Sequence, residues 1–417
     1  MRPAYSQFLT GLIAFCLLSL TANARDISTA RPESVGMSSK RLERINEVMD
    51  RHIEAGDIQG AVTIVARRGK IVHYEAHGLM DVATKTPMSK DALFIMWSST
   101  KPVLGVAAMM MIEEGKFRPS DPVSMYIPEF KDMQVAVLAE PADENISPRR
   151  VDPRGDIPAH RLVPAEREIT IHHLLTHTSG LLSGGLGSAI APRLERDTLA
   201  SFIPKLGDVP LDFQPGTRWS YSPATGLDVV ARVIEIVSGL PFDEFVRTRI
   251  LDPLGMIDTH YNLPPEKASR RVIPPGRNIE RITQPTTYFP GSFGLTSTAM
   301  DYLRFEQMLL NGGTYNGNRL LSPRTVTMMG SNQVGDLFSG LRNEESGMGF
   351  GYTVSVVLDP IVADSRRSKG AFGWGGAWGT RSWTDPAEEL TGVLMLQQSH
   401  PRTQYDFENA VRQAIIE

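Results

Sequence analysis

Apolar side chains recur every three to four positions at Leu42, Ile45, Val48, Met49 and Ile53. That spacing predicts a helix with Ser38 or Ser39 as its N-cap. The period then drops to two. "GAVTIVARRGKIVHYEAHG" predicts two strands joined at Arg68-Gly69 as a hairpin. The C-terminal third has the same ingredients in reverse order. "GYTVSVVLD", "GAFGWGGAWGT", "RSWTDP" and "ELTGVLMLQQ" are strand candidates, and "YDFENAVRQAII" is a closing helix. The two ends of the chain are therefore expected to share one antiparallel sheet of five or more strands, flanked by the N- and C-terminal helices.

Between them the pattern is helical. "VLGVAAMMMIEEG", "ATGLDVVARVIEIVSG" and "FDEFVRTRIL" are separated by proline-bearing loops. The expected organisation is α/β plus all-α: residues 25–105 and 286–417 form the α/β domain, with a helical domain inserted at 106–285. The polar stretch "LAEPADENISPRRVDPRGDIPAHRLVPAERE" is expected to be a long surface loop, disordered for most of its length.

Charge changes the picture by exclusion. A formal net charge of −4 with no basic tract leaves no footprint for nucleic acid. The nine histidines never form H-E-x-x-H, and one cysteine cannot build a Cys/His cluster, so no metal site is expected. That cysteine, Cys16, lies in "MRPAYSQFLTGLIAFCLLSLTANARD". Arg2, the apolar run Phe8 to Leu20 and Ala22-Asn23-Ala24 have the order of a signal peptide, expected to span residues 1–24. An uncleaved anchor is the other reading, but the run is shorter than the ~20 residues that span a bilayer. The mature chain is expected to be secreted or periplasmic, free of cysteine, and without stable membrane insertion.

Candidate chemistry begins at "FIMWSSTKPVLG", residues 94–105, where Ser98 stands three positions before Lys101. Residues i and i+3 share a helix face, and Pro102 is tolerated only near a helix start. The helix that follows is apolar almost all round, which implies burial. A lysine at its buried start must find partners or give up its charge. Taken alone, the spacing also fits a plain helix start, with a serine N-cap and a lysine stem that snorkels to solvent.

Other blocks accompany it: "DPVSMYIPEF", "ITIHHLLTHTSGLL", "RWSYSPATGLDVVARVIE", "ILDPLGMIDT", "GSFGLTSTAMDYLRF" and "GWGGAWGTRSWTDP". In that order they resemble the serine β-lactamase and penicillin-recognising superfamily. The likeness is to its class C-like branch, nearest the family VIII carboxylesterases, and covers most of the mature chain. The resemblance implies a β-lactamase/transpeptidase-like fold and an acyl-enzyme on Ser98. Lys101 and Tyr221 would act as general base and acid, and the backbone N–H groups of Ser98 and Ala377 would hold the oxyanion. Trp374, Gly375 and Gly376 occupy the third-motif positions beside the substrate. No cofactor is implied. In "HHLLTHTSG" the resemblance gives His177 no catalytic role, and it is expected to be structural.

Two departures shape the expected substrate. Trp374 and Gly375 stand where the family's lactamases carry the Lys and Thr of K-T-G, and Pro223 stands for the Asn of Y-x-N. Both replacements remove groups that recognise a β-lactam or D-Ala-D-Ala end. A small-molecule carboxylic ester is the expected substrate, with water or another alcohol as acceptor. A β-lactamase or D-amino peptidase, or a non-catalytic acyl-binding sensor, are the alternatives. No G-x-S-x-G elbow is present, against an α/β-hydrolase.

Overall fold

The change of period after residue 54 becomes a change of layer. A computed structural model of the chain describes residues 27–139, 157–192, 197–338, 340–341 and 346–417. The expected signal segment lies outside these residues. Helix α1 (Ser39–Glu54) is capped by Ser38, whose side chain accepts from the Arg41 N–H, satisfying a donor the helix itself cannot. Strands β1 (Gly60–Arg67) and β2 (Lys70–Asp81) follow as the expected hairpin. Arg68 and Gly69 both take positive φ, 49° and 69°, the conformation of a two-residue turn matched to strand twist.

A short β3 (Thr86–Pro87) continues the sheet, and the rest comes from the other end of the chain. These strands are β4 (Met348–Phe350), β5 (Ser355–Val357), β6 (Phe372–Gly375), β7 (Arg381–Asp385) and β8 (Leu390–Met395). The sheet has eight strands in the order β4-β5-β6-β7-β8-β1-β2-β3, paired antiparallel throughout. "GYTVSVVLD" was read as one strand. Residues 351–354 form the turn that follows β4, with Thr353 at φ 68°, and only Ser355–Val357 is strand, as β5.

Strand β1 is buried along its whole length because both faces are covered. Ala61 and Val65 point to a cluster with Leu42, Ile45, Phe407 and Val411. These come from α1 and from α5 (Pro401–Arg412). Val62, Ile64 and Ala66 point the other way, into the large core shared with the helical region. A one-residue slip would exchange the two faces.

The centre of that larger core is α2 (Lys101–Glu113), buried without a break from Lys101 to Met111. It crosses the domain junction expected at 105/106. Each large apolar side chain it buries contributes roughly 1.5–3 kcal/mol. Around it lie α3 (Asp228–Ser238) and α4 (Ala299–Leu310), both with faces in the same core. The polar segment expected to be a loop is partly strand: its residues His160–Pro164 pair antiparallel with Gln134–Leu138, which ends where the segment begins. Residues 140–156, which carry most of the expected disorder, lie outside the described residues. Among the described residues no helix is long and apolar enough to cross a membrane.

Candidate active site

Ser98 lies on a 3-10 turn, Trp97–Thr100, that leads directly into α2. The turn is held from several sides. Met96 N–H donates to Leu295 O, and Tyr302 Oη donates to Ser99 O. Thr380 Oγ1 donates to Met96 O and lies 2.9 Å from Ser99 Oγ. These bonds keep Trp97 at φ 48°, a conformation that costs a bulky residue of order 1–3 kcal/mol.

Lys101 begins α2 with its side chain fully buried. Removing an ammonium from water costs several kcal/mol unless its N–H groups are satisfied. They are. Nζ donates to Pro223 O and Ser292 O, both at 2.8 Å, and to Ser98 Oγ at 3.1 Å. The snorkelling lysine of a plain helix start is thereby excluded. Two of the three Nζ directions are committed to carbonyls, so the third is the one a reaction can use. In a neutral amine that direction is a lone pair aimed at Ser98.

Tyr221 arrives from the loop ahead of α3, with its hydroxyl 2.8 Å from Ser98 Oγ. Lys101 Nζ is 5.1 Å from the centre of the Tyr221 ring. The loop is clamped by His177. Ser220 N–H donates to the His177 carbonyl and Ser222 N–H to its Nδ1, one residue on each side of the tyrosine. The imidazole also packs edge-on against Tyr221, with centroids 4.8 Å apart. Burial, with Lys101 nearby, holds the His177 pKa well below its ordinary value, so the ring is a neutral acceptor. His172 faces Tyr352 Oη and His173 completes a capping box with Thr170. Of the three histidines of this block, His177 holds the Tyr221 loop, while His172 and His173 make local contacts.

Asp228, the first residue of α3, has no role in the sequence reading beyond its place in a helical pattern and a family block. It is fully buried and accepts from Ser292 N–H and Oγ at 3.0 and 2.6 Å and from Tyr288 Oη at 2.8 Å. Ser292 is the residue whose carbonyl holds Lys101. Burial pushes the Asp228 carboxyl up to about 6. Ser292, Thr380 and Asp228 lie inside the blocks that carry the family resemblance, but only their meeting in space gives each a role.

The third-motif residues form the facing edge. Trp374 and Gly375 end β6, and Gly376 and Ala377 begin the turn to β7. A Cβ on Gly376 would lie 2.2 Å from Met96 O and 2.3 Å from Thr380 Oγ1, so glycine lets this edge approach the serine turn. Among the described residues the Ala377 N–H donates to no acceptor. Ser98, Tyr221, Trp374, Gly375, Gly376 and Ala377 all line one cleft of about 710 Å³. Phe338, Met348 and Trp374 make one wall apolar, while Arg381, Gln404 and Glu408 make another polar.

Fold and site together define a serine hydrolase built on the β-lactamase fold. The sequence profile of the Beta-lactamase family matches residues 45–415, and the chain belongs to that family. It is 36% identical over 379 residues to Protein Rv1367c of Mycobacterium tuberculosis, covering 85% of this chain and 88% of that protein. Against Esterase EstB of Burkholderia gladioli the identity is 30% over 407 residues, covering 89% and 94%. Among solved structures, EstCE1, described as a hydrolase with promiscuous acyltransferase activity, superposes with a TM-score of 0.72 at 25% identity, covering 91% of this chain and 99% of that one.

Proposed function

We propose that this chain is a secreted or periplasmic carboxylesterase that works through an acyl-enzyme on Ser98. The observation that carries the reading is the convergence of Lys101 Nζ and Tyr221 Oη on Ser98 Oγ, at 3.1 and 2.8 Å. Export rests on the leader at residues 1–24.

In the first half-reaction Ser98 gives its proton to the Lys101–Tyr221 pair as Oγ attacks the ester carbonyl. The Ser98 and Ala377 N–H groups receive the charge on the carbonyl oxygen. The C–O bond to the alcohol then breaks, and the leaving alkoxide takes the proton back through Tyr221. In the second half water attacks the acyl carbon by the same path, and Ser98 leaves with its proton restored. An alcohol in place of water makes the reaction a transfer. The acyltransferase activity named for EstCE1 supports including that acceptor.

Esters are favoured over lactams because Trp374 and Pro223 supply no charged or amide contact for a lactam's recognition groups. An alkoxide also departs more readily than an amine. The test is hydrolysis of p-nitrophenyl acetate and butyrate beside a chromogenic cephalosporin. Steady turnover of the esters, lost in Ser98→Ala, is expected. Rapid cleavage of the cephalosporin with inert esters would replace this reading with a lactamase, and a single burst without turnover would replace it with an acyl-binding sensor.

A further inference from the structure

The two amides assigned to the oxyanion stand next to two tryptophans: Trp97 precedes Ser98 and Trp378 follows Ala377. Their rings meet edge to face, with centroids 5.0 Å apart. The Arg277 guanidinium lies over the Trp378 ring at 5.2 Å, and Phe293 flanks Trp97 at 6.2 Å. Trp97, Trp378 and Arg277, together with Asn278 and Ile282, border a second cavity of about 410 Å³. Ala377 lines both this cavity and the larger cleft. A carbonyl held at Ala377 therefore has one substituent in each.

The proton donor decides which substituent goes where. A leaving alkoxide must reach Tyr221, and Tyr221 lines the larger cleft and not the smaller cavity. The alcohol part therefore occupies the larger cleft, and the acyl part is directed to the tryptophan side. We propose that the Trp97–Trp378–Arg277 shelf is the acyl subsite, and that it takes a planar aromatic acyl group with an anionic substituent on the ring. This rests on the ester-cleaving reading above.

Aromatic faces and edges at this spacing favour a third ring over a flexible alkyl chain. Arg277 is exposed, with its guanidinium over the Trp378 ring. It supplies both a planar surface and a positive charge at the rim. The covalent step is unchanged: Ser98 Oγ bonds to the aroyl carbon, the ester C–O bond breaks, and the alcohol departs with the proton.

The experiment holds the leaving group constant. Purified protein would be assayed for kcat/KM on the p-nitrophenyl esters of acetate, benzoate and 4-carboxybenzoate. Trp378→Ala is expected to lower the benzoate-to-acetate ratio at least fivefold. Arg277→Gln, which removes the guanidinium from an exposed position, is expected to lower the 4-carboxybenzoate-to-benzoate ratio at least fivefold. A smaller change in either ratio, with acetate still turned over, overturns the shelf while the esterase reading stands. In a second series, acetate esters of different alcohols, a changed alcohol preference in either variant would place the leaving group there and also overturn the shelf. No turnover of any ester would overturn both.

Discussion

The Tyr221 hydroxyl rests 2.8 Å from Ser98 Oγ, although 123 positions separate the two residues. One end is fixed by the start of α2 and the other by a loop clamped to His177, so the contact reports on the helical region as a whole. Tyr221→Phe keeps the ring and its packing and removes only the hydroxyl. A general acid–base group of this kind is worth about 10²–10⁴-fold in rate. The expected result is a kcat loss in that range on p-nitrophenyl acetate with an unchanged circular dichroism spectrum. Activity within threefold of the parent would assign the proton transfers to Lys101 alone.

His177 offers a test of positioning as distinct from catalysis. Its Nδ1 and its carbonyl hold the residues on either side of Tyr221, and its backbone sits at φ 58°. His177→Leu loses the acceptor and strains the backbone, and kcat is expected to fall at least tenfold. His177→Asn restores an acceptor near the Nδ1 position and tolerates positive φ, so it is expected to recover most of that loss. A titrating catalytic histidine would leave Asn as damaged as Leu, and would show its own limb in the pH profile.

Much of the scaffold was legible because the signals were local. The change from a 3.6 to a 2.0 period marked α1 and the β1–β2 hairpin, and the all-round apolar α2 announced a buried lysine. What stayed hidden depends on distance along the chain. Asp228 looks like an ordinary acid in a helix's first turn until its partners Tyr288 and Ser292 arrive about sixty positions later. Trp97 and Trp378 look like separate aromatics until the β6–β7 turn brings them together. The polar stretch expected as a loop contains a strand, His160–Pro164, whose partner Gln134–Leu138 lies almost wholly ahead of the stretch.

Asp228 is expected to set an acidic limit on activity. Burial moves its carboxyl up to about 6, so the anion opposite Lys101 is lost as pH falls through that value. Protonation weakens the hold on Ser292, whose carbonyl positions Lys101. The kcat/KM profile is expected to fall below about pH 6. Asp228→Asn is neutral at every pH, so its activity is expected to be about 10–100-fold lower at pH 7.5 without that limb. A variant that kept the same acidic limb would assign the titration to another group.

Gly376 is where the third-motif edge touches the serine turn. A methyl group there would stand 2.2 Å from Met96 O, inside any allowed contact. Met96 is fixed by Leu295 and Thr380, so the edge itself must retreat and carry the Ala377 N–H with it. Losing one oxyanion donor costs about 10²–10³-fold in kcat. Gly376→Ala is expected to show that loss in kcat with a much smaller change in KM. Gly370, also a turn glycine but with open space around its Cβ position, is the comparison: its φ of 86° makes Gly370→Ala a strained substitution far less damaging to kcat. Equal kcat losses in the two variants would show general destabilisation in place of a displaced donor.

The last expectation concerns stability. Glu306 on α4 is buried against β7, accepting from Ser382 Oγ at 2.5 Å and Thr384 Oγ1 at 2.7 Å. Burial outweighs these bonds and pushes its carboxyl from an ordinary 4.5 up to about 7. The folded chain therefore holds this proton more tightly than the unfolded chain. Its contribution is complete below about pH 4.5 and is lost as pH rises through 7. A displacement of that size corresponds to about 3 kcal/mol. Glu306→Gln keeps the shape and an acceptor but cannot ionise. Urea unfolding at pH 5, 6, 7 and 8 is expected to find the variant's stability relative to the parent improving from pH 5 to 7 and levelling off toward pH 8. A parent–variant difference that stayed constant across that range would mean Glu306 is already ionised in the folded protein at pH 5.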